Sequence, residues 1–97
     1  MSAPIDVRNN ESDHQFEANV EGGLALMTYQ RDGNRITFIH TEVPEQAEGK
    51  GVASALAKRA LAFAREQNLR VVAECTYLAG YVKKYHDQYG DLLDENG

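Results

Sequence analysis

Gln46-Ala47-Glu48-Gly49-Lys50-Gly51-Val52-Ala53 joins two patterns of different period. Upstream, Arg35-Ile36-Thr37-Phe38-Ile39-His40-Thr41-Glu42-Val43 is rich in β-branched and aromatic residues and predicts a strand that Pro44 stops. Downstream, Val52, Leu56, Ala60 and Phe63 recur at helical spacing, with Ser54, Lys58 and Arg65 off that stripe and Leu61 fitting it poorly. This predicts a helix ending near Asn68. Arg70-Val71-Val72-Ala73-Glu74-Cys75 then reads as a further strand. A strand–helix–strand unit of this length implies parallel pairing through a right-handed crossover. Gly49 and Gly51 let the backbone turn at φ > 0 without a Cβ clash. The first N–H groups of the following helix lack intrahelical partners and carry partial positive charge, which suits phosphate.

Outward from this unit the chain reads as an antiparallel meander. Asp6–Asn9 predicts a short strand and Asn10–Asp13 a polar turn. Gln15–Val20 and Leu24–Tyr29 predict strands joined at Glu21-Gly22-Gly23, and Arg31-Asp32-Gly33-Asn34 turns the chain into the Arg35–Val43 run. Tyr77, Tyr81, Tyr85 and Tyr89 fall every fourth residue and predict a second helix. Residues 1–5 read as a loose end and Asp91–Gly97 as an acidic tail. The expected fold class is α/β, with a mixed sheet, one parallel crossover and two main helices, in one domain spanning residues 1–97.

Composition narrows the function. A chain of 97 residues with 42% hydrophobic content has room for one core. No run approaches the roughly 18 apolar residues that span a bilayer. The first residues lack the basic flank and apolar centre of a signal peptide. A lone cysteine, Cys75, excludes an internal disulfide and suits a reducing cytoplasm. The net charge of −5 disfavours nucleic acid and favours a basic acceptor such as a lysine or an amine. A monomer is expected.

The glycine stretch has rival readings. A P-loop needs Ser or Thr after its lysine, where Gly51 stands. A dinucleotide fingerprint would place its third small residue at Ser54, but that fold opens with a parallel unit rather than a meander. A plain helix start with no ligand remains a third reading.

Three motifs in order, across residues 15 to 93, carry a family resemblance. Gln46, Gly49 and Gly51 match Gln-x-x-Gly-x-Gly/Ala after a strand. His40-Thr41-Glu42-Val43 matches His-Thr-x-Val, and Cys75 with Tyr77 matches Cys-x-Tyr/Phe, followed by an aromatic at Tyr81. In these features the chain resembles the GCN5-related N-acetyltransferases, and specifically their small YjdJ-type branch. The closing His-Pro-x-Tyr of that branch is met only by His86-Asp87-Gln88-Tyr89, without the proline. The resemblance implies a minimal acyl-CoA N-acyltransferase fold and acetyl-CoA as cofactor. It implies pyrophosphate on the N–H groups from Glu48 to Ala53, including Gly49, Lys50, Gly51 and Val52. It further implies pantetheine pairing with Thr41, Glu42 and Val43, and Tyr81 close to the cofactor.

Acetyl transfer needs a base, and His40 is the candidate, because an imidazole titrates near neutral pH. A histidine hydrogen-bonded between strand and helix is the alternative. Cys75 is either a nucleophile or a small buried residue beside the cofactor sulfur, and the passive reading is adopted. The tyrosine that protonates the thiolate in larger relatives would fall at Lys83, so that match fails; Tyr81 or Tyr85 are substitutes. The expected function is direct acetyl transfer from acetyl-CoA to an amine. A CoA-binding module without turnover, and an interaction protein with a relict loop, are the alternatives.

Overall fold

The computed structural model describes residues 5–94. Five strands form one sheet in sequential order: β1 (Arg8–Asn10), β2 (Gln15–Val20), β3 (Gly23–Asp32), β4 (Arg35–Glu42) and β5 (Arg70–Ala73). The first four pair antiparallel, and β4 pairs with β5 in parallel. The long helix α1 (Val52–Glu66) makes the crossover, and α2 (Thr76–Lys84) and α3 (His86–Tyr89) follow β5. The meander and the parallel unit are therefore both present.

Period-two patterning places Phe16, Ala18, Ala25, Met27, Tyr29, Ile36 and Phe38 on one buried face. The same cluster contains Val52, Leu56, Ala57, Ala60, Leu61, Phe63 and Ala64 of α1. Leu61 is wholly buried, so the apolar stripe of α1 is wider than the four-residue pattern implies. Phe16 sits at the centre, with its ring 5.4 Å from Tyr29, 5.6 Å from Phe63 and 6.3 Å from Phe38. Each such side chain removed from water contributes about 1.5–3 kcal/mol. This packing fixes α1 against β2, β3 and β4.

One irregularity decides what β4 presents. Thr28 pairs with His40, but the next pair is Tyr29 with Phe38, so Ile39 is an extra residue. Such a bulge reverses the alternation beyond it. Ile36 and Phe38 point into the core, and past the bulge Thr41 takes that side, opposite buried Met27. His40 and Glu42 take the other. Pairing with β5 also ends here, at Phe38 with Ala73. The Phe38 carbonyl accepts from the Glu74 and Cys75 N–H groups, at 3.0 and 2.9 Å, and the chain turns away into α2.

Boundaries differ from expectation where side chains alone do not set them. β1 runs to Asn10, β3 extends to Asp32, α1 stops at Glu66 and β5 at Ala73. The tyrosine ladder is not one helix. It breaks at Tyr85 (φ −110°, ψ 39°). A continuous helix would set Tyr81 and Tyr89 about 12 Å apart along its axis. The break instead brings their ring centroids to 5.9 Å, with Tyr85 at 4.8 Å from Tyr81.

Part of the expected acidic tail is anchored. Leu92 is buried, the Asp94 N–H donates to the Val71 carbonyl at 2.9 Å, and Arg35 Nε meets Asp94 Oδ2 at 2.7 Å. Residues 95–97 and 1–4 lie outside the described residues, and Ile5 packs against the core. Among the described residues no helix is long and apolar enough to cross a membrane.

Candidate functional site

The freed end of β4, the glycine loop and the first turns of α1 and α2 enclose a cleft of about 420 Å³. Thr41 and Val43 form one wall, Gly49, Gly51, Val52, Ala53 and Ser54 another, and Tyr77 closes the rim. Gly49 and Gly51 have φ of 79° and 80°, and no atom lies within 4 Å of where a Cβ would stand at either position. An L side chain there costs roughly 1–2 kcal/mol in backbone conformation and projects into open space. Gly51 is also the N-cap of α1 and offers no capping side chain. The first N–H groups of this 15-residue helix therefore remain available beside the cleft, at the positive end of the dipole.

Behind Thr41 lies Cys75, which is 4% exposed and is the N-cap residue of α2. Its Sγ lies 2.9 Å from Thr41 Oγ1, across the point where β4 and β5 part. Tyr77 is 39% exposed and lines the cleft together with Ser54. Burial pushes its phenol up, and the Ser54 contact opposes that. A second hollow of about 480 Å³ adjoins through Ser54 and Tyr77 and is lined by Gly80, Tyr81 and Lys84.

The sequence-predicted residues divide into groups. Thr41, Val43, Gly49, Gly51, Val52 and Ala53 share the cleft, and Cys75 touches Thr41. Gln46 and Lys50 instead tie the loop to the β2–β3 turn. The Gln46 side chain lies so close over Gly22 that a Cβ there would overlap it, and Lys50 Nζ pairs with Glu21 at 2.9 Å. Tyr81 lines the second hollow, with the Tyr89 ring centroid 5.9 Å from its own. His40 and Glu42 lie on the opposite sheet face, with Nε2 to Oε1 at 3.5 Å. Ala47, Ser54 and Tyr77 are cleft residues to which the sequence reading gave no site role, although Tyr77 belongs to the Cys-x-Tyr/Phe match and Ser54 stands where a dinucleotide fingerprint would place its third small residue. Among the described residues no cluster of His, Cys, Asp or Glu could hold a metal ion.

The chemistry of this arrangement is that of an extended, anionic ligand. An open strand edge can pair with an extended chain, and uncapped N–H groups can meet its phosphates. Residues 15–92 match the family model described as GCN5-related N-acetyl-transferase, and the chain belongs to that family. It is 38% identical over 87 residues to Protein NATD1 of Gallus gallus and of Homo sapiens, covering 87% of this chain and 79% and 77% of those proteins. A solution structure of a GCN5-like protein from Staphylococcus aureus superposes with a TM-score of 0.69 at 28% identity, covering 96% of this chain and 91% of that one. The fold is GNAT-like.

Proposed function

We propose that the protein transfers an acetyl group from acetyl-CoA directly to an amine. The observation that carries this reading is the coincidence of two openings. β4 loses its β5 partner beyond Phe38, and a short loop after β4 ends at Glu42 leads into the turn that holds the left-handed Gly49 and Gly51. Main-chain groups from Thr41 to Val43 pair with an extended arm as an added strand would. The N–H groups from Gly49 to Ala53 meet the pyrophosphate. Lys50 is within the loop but held by Glu21, so its charge contributes at a distance. Bound acetyl-CoA supplies the activated thioester.

His40 takes a proton from the incoming ammonium, so that the amine arrives neutral. Its place on the face opposite the cleft, beside the gap between the strands, lets the acceptor approach without crossing the cofactor arm. Cys75 fills space between Thr41 and the start of α2.

The test is release of free CoA thiol when acetyl-CoA is mixed with the protein and a panel of amines and lysine peptides. Amine-dependent release supports transfer. Calorimetric CoA binding without any release selects a CoA-binding module, and absence of binding removes the cofactor reading.

A further inference from the structure

The bulge at Ile39 sets which residues at the end of β4 take each face of the sheet. Thr41 and Val43 serve the cleft, whereas His40 and Glu42 project from the other face. Their side chains are 59% and 62% exposed, open to a ligand. Register places Glu42 beside Leu26 and His40 beside Thr28, and Leu24 continues the same face of β3 at 38% exposed. A carboxylate, an imidazole and a short apolar strip are thus neighbours, next to the gap where β4 leaves β5. Among the described residues Glu42 pairs with no lysine or arginine.

We infer that this face is the acceptor subsite and that the Glu42 carboxylate selects a primary ammonium on an unbranched alkyl stem. This rests on the acetyl-transfer reading above. An ammonium within reach of Glu42 gains a charge-assisted hydrogen bond. Its methylene stem lies over Leu26 and Leu24, removing apolar surface from water. The same placement sets the nitrogen against His40. The net charge of −5 draws cations toward the molecule. A lysine side chain and a free alkylamine share this chemistry; an aromatic amine, uncharged at neutral pH, does not.

The experiment compares the full chain with Glu42→Gln and Glu42→Asp in steady state at neutral pH, with acetyl-CoA and three acceptors. These are pentylamine, a peptide with one lysine and no other charge, and aniline. Glu42→Gln is expected to raise KM about fivefold or more for the cationic acceptors, with kcat kept within about twofold. Glu42→Asp recovers part of the loss, and KM for aniline and calorimetric CoA affinity stay unchanged. A response with pentylamine, with the peptide or with both tells whether the source is a free amine, a protein lysine or either. An unchanged KM, an equal shift with aniline, or an equal loss of CoA affinity overturns the assignment of Glu42 alone. Wild-type protein that binds CoA and releases no thiol with any amine overturns the transfer reading, and this inference with it.

Discussion

His40 and Thr41 are adjacent in the chain and face opposite sides of the sheet by ordinary strand alternation, and the extra residue at Ile39 decides which of them takes the cleft side. Without that insertion His40, the candidate base, would share the side of Ile36 and Phe38 and Thr41 would face away from the cleft. Replacing His40 by Ala is expected to lower the transfer rate by about 10² to 10⁴ while CoA affinity is nearly kept. Rates against pH, with parallel calorimetry, check this; equal losses of rate and binding would mark a structural histidine. Cys75 is the other reactive residue at the site. It is buried, and its Sγ contacts Thr41 Oγ1, so it completes packing at the head of α2. Incubation with acetyl-CoA alone should leave no acetyl adduct by intact mass, and Cys75→Ala should keep much of the activity. A stable adduct on wild type, lost with all turnover in Cys75→Ala, would make the cysteine a nucleophile.

At the scale of elements, the glycine loop carries the most consequence. Gly51 combines a left-handed backbone with the capping position of α1, and a side chain there would occupy the space beside the first N–H groups. Gly51→Val is expected to weaken CoA binding at least tenfold, about 1.4 kcal/mol, in a protein whose circular dichroism is unchanged. Unaltered affinity by calorimetry would remove this corner as the phosphate site. The elements themselves were legible in the sequence because each had a local signal: alternation in β2, glycine turns between β2, β3 and β4, and helical spacing from Val52. The bulge had none, since Ile39 is an ordinary strand residue and only cross-strand register exposes it. The break at Tyr85 was equally silent. No glycine or proline marks it, and the stacking of Tyr85 and Tyr89 on Tyr81 is a tertiary gain. The roles of Gln46 and Lys50 were obscured for the same reason, because their partners Gly22 and Glu21 lie on another hairpin.

At the scale of the molecule, the polar face of the sheet has its own centre. Glu17 is 5% exposed and accepts from Gln15, Asn10 and Arg8, with Arg8 Nη2 at 2.8 Å. The Gln15 hydrogen bond foremost, with Asn10 and Arg8, holds its carboxyl below the usual range against the opposing effect of burial. Asp91 is likewise held down, chiefly by its hydrogen bond from Arg65. A depressed carboxyl stabilises the fold above its unfolded value, and that contribution is lost as pH falls through the folded value. Urea midpoints should therefore decline below about pH 4.5. In Glu17→Gln the decline should be shallower, from a lower starting stability at neutral pH. An identical decline in the variant would show that the network around Glu17 has no part in acid sensitivity.

The central claim is that the end of β4 and the glycine loop together form the acetyl-CoA site, and amide chemical-shift mapping tests it most directly. Titrating CoA into ¹⁵N-labelled protein should move the resonances of Thr41 to Val43 together with those of Gly49, Gly51, Val52 and Ala53, while β1 and β2 stay unchanged. Saturable shifts confined to other surfaces, or none at millimolar CoA, would contradict it.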